Sequence, residues 1–241
     1  MIQFSRSLAL AGVLALSMAS LAGAQTAPAP QGYLSKETAE SLSSLLGPPP
    51  APGSAREAAD RDTYQRTRAL EGSPRWILAQ DQHDADPSRA ARLFDCALGI
   101  RSQGRETPAL TRLLTRVIAD VSVVYSPAKR VYKRPRPLMD NDLKVCVARD
   151  PKALATSWSY PSGHGAFGWA WALALAEAEP ERAPQILKVG LSLGEGRVVC
   201  GYHYPSDIEA GRTLGAAVYG AEHVSPEFQA DLAAARAEIE T

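Results

Sequence analysis

The chain has 241 residues, enough for one sizeable domain with a real core, and carries 26 basic and 26 acidic side chains with no net charge. That balance excludes the overall basic surface of a nucleic-acid-binding protein. Any anion site must be a local cluster of cations.

The amino terminus has one charge, Arg6, followed by the apolar run "LALAGVLALSMASLAGA" with small residues at Ala22 and Ala24. This is the pattern of an export signal cleaved after Ala24, residues 1–24. Serines interrupt the run, so a membrane anchor is not expected, and no cysteine stands where a lipoprotein signal needs one. A Pro/Ala-rich segment follows over residues 25–40, and the remainder, residues 41–241, is assigned to one folded domain. A second proline cluster, "GPPPAPGS" at 47–54, reads as an extended connector.

Apolar residues then recur at helical spacing. "ARLFDCALGI" (91–100) predicts an amphipathic helix, "TPALTRLLTRVIADVSVVYSPAKRVYKR" (107–134) a long one, and the stretches at 163–179, 183–199 and 205–223 three more. No set of alternating strands and no internal repeat is visible, so the expected class is all-α, a single-domain helical bundle. The run at 165–178 is apolar nearly all round, which places it, with Trp169 and Trp171, at the centre of the bundle.

In an exported protein, two of the three cysteines are expected to pair. Spacing alone does not define connectivity. The expected bridge is Cys146 with Cys200, leaving Cys96 in its amphipathic helix as a thiol.

Three segments carry the chemistry. "AKRVYKRPRP" (128–137) is the densest basic stretch. Lys129 and Arg136 are seven residues apart and would share one face of a helix, with Pro135 and Pro137 ending it. Lys133 and Arg134 read as a solvated helix end. "SYPSGHG" (159–165) puts Ser162, Gly163 and His164 at a helix start, where unpaired N–H groups and the positive end of the dipole make an anion site. "GRVVCGYHYPSDI" (196–208) adds Arg197, His203 and Asp207. Each segment alone has a plain reading, a surface arginine, a core histidine or a helix cap. Together they supply cations for a phosphoryl group, a nucleophile and an acid, with no metal or cofactor required.

Asp207 lies four residues after His203 and can fix its tautomer, which makes His203 the expected nucleophile and His164 the expected proton donor. Asp207 is expected to favour the charged form of the His203 ring, and cations to disfavour that of His164. Asp81, His83 and Asp84 are a weaker candidate for a metal cluster.

Lys129, six residues, Arg136-Pro137; Pro161-Ser162-Gly163-His164; and Arg197, five residues, His203, three residues, Asp207 together resemble the three-part motif of the type 2 phosphatidic acid phosphatase superfamily. The soluble exported chain and the "LGEGRVVCGYHYPSD" wording are similar to its class A bacterial acid phosphatases. The resemblance implies an all-α fold of the kind shared with vanadium haloperoxidases. It also implies periplasmic hydrolysis of small phosphomonoesters through a phosphohistidine, with phosphotransfer as a side activity. His203, His164 and Asp207 match the catalytic residues, and Lys129, Arg136, Ser162, Gly163 and Arg197 the phosphate binders. Gly196 departs from the serine usual in the family. A vanadium-dependent haloperoxidase and a phosphate- or phospholipid-binding protein without turnover are the alternatives. No nucleic-acid polymer is an expected partner, and homo-oligomerisation is left open.

Overall fold

The computed structural model describes residues 1, 31–84, 86–102, 105–141, 143–148, 154 and 156–241. The expected export signal and most of the segment after it lie outside the described residues. Within them the chain forms nine α-helices and no strand. They are α1 (Lys36–Ser43), α2 (Ala55–Thr67), α3 (Pro74–Asp81), α4 (Pro87–Leu98), α5 (Pro108–Tyr132), α6 (Gly163–Ala178), α7 (Ala183–Val199), α8 (Pro205–Glu222) and α9 (Pro226–Ile239).

Local chemistry sets many of the boundaries. Ser35, Ser54, Ser73, Ser162 and Ser225 each cap a helix by accepting a backbone N–H, which satisfies a donor the helix cannot. Proline opens α3, α4, α5, α8 and α9, where its missing N–H costs nothing. α1 runs across residue 40. The backbone just before it is tied to α5, with Tyr33 and Leu34 N–H donating to the Asp120 carboxylate.

α6 is the central helix, packed against α5, α7 and α8. Phe167, Ala170, Trp171, Ala174 and Leu175 are buried on it, and Trp171 satisfies its indole N–H on the Leu114 carbonyl at 2.9 Å. The crossing of α6 with α8 is very close. A Cβ on Gly211 would stand 2.3 Å from the Ser162 carbonyl oxygen, so only glycine permits this approach. It brings the starts of α6 and α8 together, and Ser162 N–H donates to the Asp207 carbonyl at 2.9 Å. A smaller apolar cluster holds Trp76, Ala79, Leu154, Val199 and Tyr202 with a Cys146–Cys200 disulfide, Cα atoms 4.6 Å apart. Cys96 is an exposed thiol. Among the described residues no helix is long and apolar enough to cross a membrane.

Candidate active site

The basic stretch does not continue as a helix to Arg136. α5 ends at Tyr132, Lys133 takes a left-handed conformation (φ 45°), and the chain leaves in extended form before Arg136. Pro135 disfavours helix in the residue before it, which stops α5 early. The shared helix face expected for Lys129 and Arg136 is therefore corrected. The turn at Lys133, not helical periodicity, brings the two cations together.

Arg136 is buried and spreads over three partners. It donates through Nε to the Ser157 carbonyl, through Nη2 to Ser157 Oγ (2.9 Å), and through Nη1 to the Tyr202 carbonyl (3.0 Å). Nη1 also lies 3.0 Å from His203 Nε2. A guanidinium only donates, so Nε2 is the acceptor and the ring proton sits on Nδ1. Nδ1 faces Asp207 Oδ2 and Ser159 Oγ, each at 3.4 Å. The ring is thus held as the tautomer with a lone pair on Nε2.

Asp207 is fully buried and saturated. Oδ2 accepts from Tyr204 N–H (2.8 Å) and Ser159 Oγ–H (2.5 Å), and Oδ1 accepts from Arg134 Nη1 (2.7 Å). Asp207 is also the third residue of α8, so the cap of that helix and the orientation of His203 use one carboxylate.

Burial and the cations Arg136, Lys129 and Arg197 push the His203 ring well below the usual imidazole range. This reverses the expected upward shift. Asp207 has spent its oxygens on other donors, and three cations outweigh it. His164 is also pushed well below that range, first by burial and then by Arg197. It is the second residue of α6 and donates from Nε2 to the His83 carbonyl at 3.0 Å, its ring packed on Phe167. Lys129 reaches the Trp158 carbonyl at 2.5 Å, and burial beside Arg136 lowers its ammonium to about 7. Arg197 is buried with its guanidinium over the Tyr202 ring, 4.6 Å from the centroid. Ser162 is the buried cap of α6, and Gly163 follows it beneath the Tyr125 ring.

A family model described as the PAP2 superfamily matches residues 109–229, half of the chain, and spans all three motif segments. The chain belongs to the PAP2 superfamily. A non-specific acid phosphatase from Providencia stuartii is 37% identical over 208 residues, covering 86% of this chain and 84% of that protein. The acid phosphatase of Zymomonas mobilis is 34% identical over 195 residues, covering 81% and 74%. A non-specific acid phosphatase of Salmonella typhimurium is 34% identical over 204 residues, covering 83% and 81%. Among solved structures, a bacterial vanadium-dependent iodoperoxidase superposes with a TM-score of 0.53 at 19% identity over 76% of this chain. The chain spans about half (53%) of that protein's length, and the likeness is one of fold.

This PAP2 domain contains site residues that sequence reasoning missed. Arg134, read as a solvated helix end, is buried and bonds both Asp207 and Asp60 of α2. The reading failed because a helix continuing through 134 would have turned that side chain outward. Ser159 supplies a hydroxyl to Asp207, and its only signal was its place two residues before Pro161. Asp60 had a faint signal. With Tyr64, one turn on, it is buried on an otherwise polar helix. The Asp81, His83 and Asp84 cluster does not assemble. Asp84 pairs with Arg89 at 2.6 Å, and no group of three metal-ligating side chains occurs among the described residues. Gly196 is a packing position between α7 and α3, where a Cβ would stand 3.3 Å from Gln82 Oε1 and 3.6 Å from Ala79 Cβ.

Proposed function

We propose that this protein is a periplasmic acid phosphatase that hydrolyses small phosphomonoesters through a phosphohistidine at His203, without a metal. One observation carries the reading. The lone pair of His203 Nε2 is presented to Arg136, with Lys129 and Arg197 acting on the same ring and its other nitrogen held by Asp207 and Ser159. That is a nucleophile set among cations suited to the oxygens of a phosphoryl group. The acid phosphatase relatives support the same activity.

In this mechanism the phosphate dianion takes up the donors of Arg136, Arg197 and Lys129 and the N–H groups at the start of α6. As Arg136 Nη1 passes from His203 Nε2 to a phosphate oxygen, the freed Nε2 lone pair attacks phosphorus, the P–O bond to the alcohol breaks, and His164 gives its proton to the leaving oxygen. Water then attacks the phosphohistidine, His164 accepts a proton from it, and the P–N bond breaks to release phosphate. An alcohol in place of water would give phosphotransfer. Charge at the transition state is supplied by side chains, which is why no metal is needed in this scheme.

The test uses purified mature protein, p-nitrophenyl phosphate and an alkyl phosphate. Phosphate release should persist in EDTA, be inhibited by vanadate, and vanish in His203→Ala together with an acid-labile phosphoprotein trapped from the wild type. An acid-stable phosphoserine, or activity restored only by a divalent ion after chelation, overturns the reading. Halide oxidation with vanadate, in the absence of phosphate release, would favour a haloperoxidase. Binding without turnover would leave a phosphate-binding protein.

A further inference from the structure

Arg134 lies between two carboxylates that water does not reach. Asp60 is 1% exposed, Asp207 0% and Arg134 9%. Arg134 Nη2 donates to Asp60 Oδ2 at 2.9 Å, and Nη1 donates to Asp207 Oδ1 at 2.7 Å and Ser206 Oγ at 2.8 Å. Asp60 is in turn held by the Ser206 N–H (3.0 Å) and hydroxyl, and the guanidinium is stacked on the Tyr204 ring, 4.3 Å from its centroid. Asp207 joins this cluster to the His203 ring. Its Oδ1 belongs to Arg134, and its Oδ2 faces Nδ1.

We propose that Arg134 is a positioning residue for His203, acting through Asp207. It pins the carboxylate that orients the ring and offsets the negative charge the ring sees, while Asp60 governs how much of Arg134's charge is left for Asp207. The functional meaning rests on the reading of His203 as the nucleophile, but the electrostatic link concerns the ring itself.

The charges on the ring make this link consequential. The titratable and charged groups facing His203 are Lys129 of α5, Arg136 from the segment after it, His164 of α6, Arg197 of α7 and Asp207 of α8. All but Asp207 are cations or histidine. Asp207 is therefore the group that would put a second proton on His203 and remove its lone pair. A free carboxylate at 3.4 Å in a dry site would do so strongly. Arg134 shares that charge and holds Oδ1 away from Nδ1. Without the guanidinium, Asp60 and Asp207 would be two buried like charges around Ser206.

The experiment follows the His203 ring by carbon-13 NMR titration of histidine-labelled protein, assigned by the signal lost in His203→Ala, alongside the pH profile of kcat/KM. The double variant Asp60→Asn/Arg134→Gln removes one charge of each sign and keeps the hydrogen-bonding shapes. Its His203 midpoint should rise by at least about half a pH unit, since Asp207 is no longer offset. Asp60→Asn alone leaves Arg134 wholly to Asp207, and the midpoint should stay or fall. Arg134→Lys should return the midpoint toward that of the wild type. A folded double variant with an unchanged midpoint overturns the proposal, and so does a rise in Asp60→Asn, a near-isosteric change that keeps the proposal falsifiable if the double variant does not fold. A midpoint that rises with no matching move in the acid limb of kcat/KM supports the electrostatic link and overturns His203 as the nucleophile.

Discussion

The imidazole Nε2 of His164 donates to the main-chain carbonyl of His83 at 3.0 Å. A carbonyl cannot donate, so the ring carries its proton on Nε2 and the loop after α3 fixes the tautomer of the candidate acid. A ring pushed well below the usual range by burial and Arg197 is neutral in the empty site at neutral pH. A bound phosphate dianion is expected to reverse that balance by favouring the imidazolium, so turnover should be best on the acid side.

His164→Ala is expected to lower kcat on an alkyl phosphate by about 10²- to 10⁴-fold, the usual range for a lost general acid. The loss on p-nitrophenyl phosphate should be at least tenfold smaller (about 1.4 kcal/mol less), because its leaving group scarcely needs a proton. Equal losses on both substrates would remove His164 from that role.

Lys129 makes the alkaline side of the profile testable. Its ammonium is lowered to about 7 by burial and by Arg136, so the charged form is lost as pH rises through that value. The kcat/KM of the free enzyme should fall above about pH 7. Lys129→Arg keeps the charge at every working pH and should make the fall above pH 7 less steep, leaving the decline set by His164, even if the maximum drops. An unchanged fall would assign it to another group.

Stability should depend on pH in a definite direction. The folded-state midpoints of His164 and His203 both lie below the ordinary value of 6.5, so the unfolded chain binds more protons below that pH. The stability associated with the neutral rings is complete above pH 6.5 and is lost as pH falls, by about 1 to 3 kcal/mol per pH unit for the pair. Thermal melts from pH 7 to 5 should show the fall, and His164→Asn should lessen it. Inorganic phosphate should restore stability more at pH 5 than at pH 8, since it binds the cationic forms of His164 and Lys129. A phosphate effect that grows above pH 8 would contradict this.

Gly196→Ser tests whether the departure from the family's usual serine weakens the enzyme. The added Cβ meets the tip of Gln82 at 3.3 Å, and that side chain is also tied to Ser192 Oγ at 3.1 Å. A few tenths of an ångström of movement admits it, while serine in place of glycine within a helix stabilises by roughly 0.5 kcal/mol. The melting temperature should hold or rise, and kcat/KM should stay within about threefold, roughly 0.6 kcal/mol. A tenfold loss would show that α3 cannot yield at this contact.

The helical class, the central burial of α6 and the three motif segments could be read from the chain alone, because period, caps and proline placement are local properties. α7 was predicted at 183–199 and spans the same residues. α2 was not drawn, since its buried face consists of Asp60 and Tyr64 and so lacks an apolar stripe. The tautomers of the two rings, the cations gathered around them and the burial of Arg134 between Asp60 and Asp207 depend on the tertiary structure. His203 has Asp207 one helical turn away in sequence, and that pair by itself argues for a charged ring. The folded site surrounds the ring with Arg136, Lys129 and Arg197, divides Asp207 among three other donors and excludes water, and the ring is pushed toward its neutral form instead. Charge in a protein interior depends on every group within a few ångströms, and most of those groups arrive from distant parts of the chain.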